Sequence, residues 1–334
     1  MKSSKGIENS TVAILILTCL AFLMPIFIGH QSYIMHILVI MLIFASFGQC
    51  WNLLAGFAGQ PSLGQNLFFG LGAYTSALLI YYIDFFKANP WPTLIIGGFI
   101  SLIVGAFLGA VCFRLRGAYF ALATLAAAEV VRLIILNWDL TLAGLGVMIP
   151  VPPKIELMGF IIDFRSKVPY YYISLIITLA TFYVTHIITK SRVGFKLLTI
   201  REDEDAASTL GVNPFRLKLF AMAVSSIICG MLGALYAPFI SYVDASADPG
   251  GVLSSSMGVD AVIIGMLGGM GTVLGPLIGG IIRIGLGEIL RITFGWGAGM
   301  DQLIFGVILV LCITSLRGGI WGTLRKFMSS RGQK

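Results

Sequence analysis

Residues 199–240 read TIREDEDAASTLGVNPFRLK and then LFAMAVSSIICGMLGALYAPFI: a charged segment followed by an uncharged run. At about 1.5 Å per residue the run spans a hydrocarbon core of about 30 Å as a helix. Lipid offers no partner to a free backbone amide, so a helix is the form expected there. Four adjacent acids, Glu202, Asp203, Glu204 and Asp205, precede it in a chain that otherwise avoids charge. Two features decide the fold and its use: how often the apolar run recurs, and what the acids do.

The run recurs along the whole chain. Of 334 residues, 57% are hydrophobic and 11% charged, and the mean hydropathy is +0.95. A soluble domain carries about a quarter charged residues. A membrane barrel would alternate apolar and polar positions, which this sequence does not. The expected fold is an all-α polytopic transmembrane bundle of about ten spans. They are placed near 11–29, 33–55, 63–83, 93–113, 117–137, 169–189, 218–240, 257–269, 273–293 and 299–316. The eighth is short, and 257–293 reads as a broken or re-entrant pair. The first run follows Lys2 and Lys5, exceeds the apolar core of a signal peptide, and lacks a small-residue cleavage site after AFLMPIFIGH.

Basic residues orient the bundle. Lys2, Lys5, Arg114, Arg116, the 190–218 cluster and the tail after 316 fall on one set of connections; Lys87, Lys154, Arg165 and Lys167 fall on the other. The expectation is that both termini are cytoplasmic, with a cytoplasmic loop at 190–217 and a long outer loop at 138–168. One membrane domain, 1–334, is expected to account for the chain. The net charge of +7 is then a topology signal, and no nucleic-acid partner is expected.

Catalytic signatures are missing: there is no HExxH, GxSxG or GxxxxGK[ST]. Catalytic and metal residues are accordingly expected to be none. Cys19, Cys50, Cys112, Cys229 and Cys312 form no CxxC pair and read as small buried hydrophobes. His30, His36 and His186 stand apart. GMLGGMGTVLGPLIGG sets Gly265 four before Gly269, Gly271 four before Gly275, and Gly275 four before Gly279. This suits either close helix packing or a broken helix lining a pathway. In GFAGQPSLGQNLFFGLGAYTSALL (56–79), Gly59, Pro61 and Gly64 interrupt the helix and leave Gln60, Ser62 and Gln65 near the membrane. That is a short cytoplasmic turn or a broken element beside a pathway.

Glu129 and Arg132 lie three apart on one helix face, as an outer vestibule wall or a structural pair. Arg283, Glu288 and Arg291 invite the same two readings. Asp260 reads as a helix cap or an outer gate group. No clear internal repeat is visible.

The acids of 202–205 open a helix where its dipole favours negative charge; Gly211 suits its end and Pro214 stops it. A solvated loop helix and a helix docking into a partner's groove both fit. The spacing Asp205-Ala206-Ala207-x-x-x-Gly211 resembles the EAA-type coupling motif of ABC importer permeases. SRVGFKLLTIREDEDAASTLGVNPFRLKLFAMAVSSIICGMLGALYA, NLLAGFAGQPSLGQNLFFGLGAYTSALL, RGAYFALATLAAAEVVRLIILNW and GMLGGMGTVLGPLIGG resemble LivM-type permeases of branched-chain amino-acid importers. The likeness spans about residues 45–316.

It implies a bacterial inner-membrane, multi-pass subunit. Its partners would be a second related permease, two ATP-binding subunits carrying ATP and magnesium, and a soluble substrate-binding protein. This chain itself would need no cofactor. The coupling residues would be Arg201, Glu202, Asp203, Glu204, Asp205, Ala206, Ala207 and Gly211. Pathway candidates are Gln60, Ser62, Gln65, Glu129 and Arg132. The chain departs from the family at LTLAGLGVMIPVPP, where Leu142 and Ala143 replace expected glycine or polar residues. Branched-chain and other amino acids, urea and short amides all stay open as cargo. An ATPase-independent transporter or channel is the rival reading; an intramembrane enzyme has no constellation to support it.

Overall fold

The computed structural model describes residues 19–142, 145–153, 155–157, 160–247, 250–294, 300–315 and 318–323. The expected first span is thus described only from Cys19, and Ala143, Lys154 and the basic tail lie outside the described residues. Helices α1 (Cys19–Ile28) and α2 (Ser32–Asn52) come first; α2 continues into a π-helical turn, Leu53–Phe57. Helices α3 (Gln65–Tyr82), α4 (Asp84–Ala88), α5 (Pro92–Cys112), α6 (Ala118–Asn137) and α7 (Val168–Lys190) follow. Then come α8 (Arg192–Glu202), α9 (Glu204–Thr209), α10 (Pro214–Ile240), α11 (Ser255–Gly268), α12 (Gly275–Phe294) and α13 (Met300–Ser315).

Among the described residues five helical stretches are long and apolar enough to cross a membrane: Ser32–Phe57, Pro92–Cys112, Ala118–Asn137, Val168–Lys190 and Pro214–Ile240. The chain is an all-α membrane bundle. Helix starts follow local chemistry. Ser191, Asp203, Asn213 and Ser254 cap α8, α9, α10 and α11 through side-chain oxygens, and Pro214 occupies the first turn of α10 without losing a bond. It both ends the preceding segment and opens the next helix.

Packing follows size rather than polarity. On α5, Gly97, Ser101, Gly105 and Gly109 are buried, while Ile95, Phe99, Ile103 and Phe107 point outward. The small face admits α3 and α10 at backbone distance. A Cβ at Gly72 would lie 2.0 Å from the Gly230 carbonyl oxygen, and one at Gly233 would lie 1.9 Å from that of Phe69. The Ser101 hydroxyl donates across this seam to the Phe68 carbonyl at 2.9 Å. Helices in lipid associate through such close contact, because apolar burial alone does not drive them together. Trp51, Phe47, Phe68 and Phe69 fill the remaining core.

Helix ends sort into two groups. Arg116 meets Asp205, Arg201 meets Gly56, and Gly269 abuts Gly319, which gathers the 53–64, 113–117, 190–213 and 269–274 connections at one end. At the other end Tyr82 donates to Leu140, Lys167 approaches His36, and Arg132 donates to Ala245. The 138–168 loop is not wholly irregular. Strands β2 (Ile155–Leu157) and β3 (Phe160–Ile162) form a hairpin. β1 (Val147–Met148) pairs antiparallel with β4 (Tyr242–Val243), Val147 facing Val243. Leu142 holds φ +60°, a left-handed conformation that glycine adopts freely and leucine does not. The position where family likeness expects glycine or a polar residue is one whose backbone suits glycine.

Candidate functional site

The acidic run divides between two helices. Glu202 closes α8; Asp203 is extended at φ −155° and caps α9 by accepting from the Asp205 and Ala206 amides at 2.9 and 3.0 Å. The expected single helix is therefore broken at Asp203, which leaves Glu202 in α8, while Glu204 and Asp205 hold the expected place in the first turn of α9. Glu204 accepts from the Lys218 ammonium at 2.6 Å, and the Lys218 side chain is wholly buried at the root of α10. Asp205 takes a two-point contact from Arg116, at 2.9 and 3.1 Å. Glu204 also stands 3.6 Å from Arg116.

This hydrogen-bonded contact holds the Asp205 carboxyl below its ordinary pKa and raises that of Arg116. Ala207 is buried against the bundle, whereas Ala206, Ser208, Thr209 and Leu210 are exposed. Gly211, at φ +79°, ends the segment. Glu204 thus turns inward and Asp205 reaches sideways to Arg116 to hold α9, while Ala206, Ser208, Thr209 and Leu210 face away.

Arg201, at the end of α8, turns toward the bundle as well. Its Nη1 donates to the Gly56 carbonyl at 2.6 Å, at the end of the π turn, and its Nη2 stands 3.2 Å from Glu202. Two interrupted segments meet there. Asn52 donates to the Thr272 carbonyl at 2.8 Å and accepts from the Gly271 amide at 2.7 Å. Gly59 (φ +69°) and Gly271 (φ +76°) bring backbone against Arg201; an added Cβ at either would lie 2.8 Å from its side chain.

The segments are built alike. The Gly64 amide donates to the Ser62 hydroxyl at 3.3 Å just before α3, and the Gly275 amide to the Thr272 hydroxyl at 3.2 Å at the start of α12. The likeness of AGQPSLGQ to GGMGTVLGP carries this match; an inserted residue hides it from a search for a strict repeat.

Of the pathway candidates, Gln60, Ser62 and Gln65 are buried. The segment is irregular backbone enclosed in protein, not a solvated turn. The Ser62 carbonyl accepts from the Trp51 indole at 2.7 Å. Gln65 donates to Ser225 Oγ at 2.7 Å and to Cys229 Sγ at 3.0 Å. The Oε1 atoms of Gln60 and Gln65 have no partner among the described residues.

Glu129 and Arg132 form a two-point pair, with Arg132 Nε at 2.9 Å, and Arg132 Nη1 reaches the Ala245 carbonyl at 3.1 Å. The candidates therefore make two groups, one in the interrupted segment before α3, from which Gln65 reaches α10, and one toward the opposite end. Asp260 neither caps α11, which Ser254 does, nor stands alone. It pairs with Arg283 at 2.7 Å, whose guanidinium lies 4.3 Å above the Phe305 ring. Glu288 binds Arg291 and accepts from the Tyr33 hydroxyl. No group of three potential metal ligands forms among the described residues. Arg116 and Lys218 read only as topology charges in the sequence, and Asn52 carries no mark there beyond falling within the span expected at 33–55.

The family described as "Branched-chain amino acid transport system / permease component" matches residues 33–313. The permease protein LivM of a high-affinity branched-chain amino acid transport system, from Salmonella typhimurium, is 28% identical over 310 residues. The match covers 86% of this chain and 71% of that protein. A nucleoside ABC transporter permease, NupC of Lactococcus lactis, is 25% identical, covering 60% of this chain and 64% of its own. LivH of Escherichia coli is 23% identical, covering 81% and 89%. No solved structure matches. With four-fifths of its length inside the matched family region, the chain belongs to the permease components of branched-chain amino acid transport systems.

Proposed function

We propose that this chain is one membrane subunit of an ABC importer that carries a branched-chain amino acid into the cytoplasm of a bacterium. It spans the inner membrane about ten times with both termini cytoplasmic. It pairs with a related permease, receives cargo from a soluble binding protein, and draws its energy from two ATP-binding subunits that hold ATP and magnesium. The spans rock between outward- and inward-open states around a pathway at the permease interface, beside which the Gln60–Gln65 segment and Glu129 stand.

The observation that supports this most is the build of 202–211. A short helix held to the bundle by charge on one side, and presenting Ala206, Ser208 and Leu210 on the other, suits insertion into a groove of another subunit. Leu210 is 77% exposed. A tag on this chain should retain the ATP-binding subunits, and Leu210→Asp should release them while the chain still inserts. Retention of those subunits by the variant would sink the docking role. Cargo is tested separately in proteoliposomes of the complete transporter by ATP-dependent uptake of radiolabelled leucine against radiolabelled adenosine. Leucine uptake is expected; adenosine uptake alone would move the chain's cargo toward that of the nucleoside relative.

A further inference from the structure

Arg201 stands among the coupling residues by sequence, yet its guanidinium faces away from the surface that α9 presents. It caps the Gly56 carbonyl at the end of the π turn and abuts Gly59 and Gly271. Asn52 closes the same junction by gripping both the Gly271 amide and the Thr272 carbonyl. Helix C-termini leave carbonyls without intrahelical partners, and a cation there satisfies both the lone pair and the negative end of the dipole. A π turn is a local distortion of the kind found at functional sites. One side chain on the helix leading into α9 therefore touches both interrupted segments of the bundle.

We propose that Arg201 is a positioning residue that ties the two interrupted segments, 56–60 and 269–274, to the α8–α9 junction, with Asn52 locking the two segments to each other. Displacement of α9 then reaches α2, α3, α11 and α12 together, because each interrupted segment joins two of those helices. This rests on the docking reading of α9 for its input, but the clamp itself stands on contacts within this chain.

The clamp is tested first without nucleotide, by hydrogen–deuterium exchange of the purified transporter in nanodiscs. Arg201→Ala should raise exchange in both 56–60 and 269–274 by about tenfold or more, since both lose one shared partner. The 83–91 connection, at the opposite end, should stay unchanged. Loosening of one segment alone, or of neither, overturns the proposal. The relay is tested by trapping with MgATP and vanadate. In the wild type, 203–211 and both interrupted segments should change; in Arg201→Ala only 203–211 should.

Arg201→Lys, which keeps a cation at the carbonyl, should recover at least part of the response in the two segments. Segments that respond normally in Arg201→Ala, or a lysine variant as silent as alanine, overturn the relay. Silence of 203–211 in the wild type would defeat the docking reading instead, and the exchange without nucleotide still decides the clamp.

Discussion

The acids at 202–205 sit beside an apolar span because they fix a short helix that could not hold itself. Six residues are too few for a stable isolated helix, so α9 depends on its N-cap and its ion pairs. These pairs differ in kind. Lys218 is fully buried and Glu204 keeps a fifth of its side chain open; deleting one partner of such a pair strands the other in a poor solvent. Lys218→Met should cost about 3 kcal/mol, read as denaturation of the chain in detergent. Arg116 and Asp205 are exposed, and water and salt screen their contact, so Arg116→Ala should leave the midpoint nearly unchanged at high salt.

The pH dependence of this second contact has a definite sign. Asp205 titrates lower in the folded chain than in the unfolded one. The contribution is therefore present above the ordinary carboxylate range, about pH 4, and fades as pH falls through the lowered value. Any low-salt midpoint difference between wild type and Arg116→Ala should hold constant from pH 8 to 5 and narrow below about 4.

At the level of helices, small residues decide where elements touch. Gly230 faces Ser101 and the Gly97 carbonyl, and its added Cβ would lie 2.4 Å from the Ser101 hydroxyl. Gly230→Val should cost about 1–3 kcal/mol or block assembly, because backbone has no rotamer to yield. Gly306→Val, with open space around it, should fold normally by the same denaturation in detergent. The helices themselves were legible in the sequence, since length and apolarity suffice to mark them, and the interruptions at 56–64 and 269–274 announced themselves through glycine. The charge partners were not. Glu204 finds Lys218 and Arg116, and Asp260 finds Arg283, across connections whose geometry no spacing rule supplies. Glu129 and Arg132 were readable because they lie one helical turn apart. The β1–β4 pairing joins segments nearly a hundred residues apart and carries no local mark.

For the whole molecule, the sorting of helix ends turns the expected membrane orientation into a labelling experiment. In a chain stripped of its native cysteines, Asp84→Cys should react with a membrane-impermeant maleimide in intact cells. Ser208→Cys should react only in inverted vesicles. The reverse pattern would place α9 outside and remove any role for it in receiving a cytoplasmic subunit. The seam of α3, α5 and α10 has a mechanical consequence too. Glycine backbones in direct contact, bridged by the small Ser101 side chain, leave little to compress, so these three helices pack as one slab. Lys218 sits at one end of that slab; at its far end Ser241 leads into β4, zipped to β1. The longest described helix thus ties a buried charge at its foot to a strand pair at its far end, so both ends of the bundle are anchored to one rod.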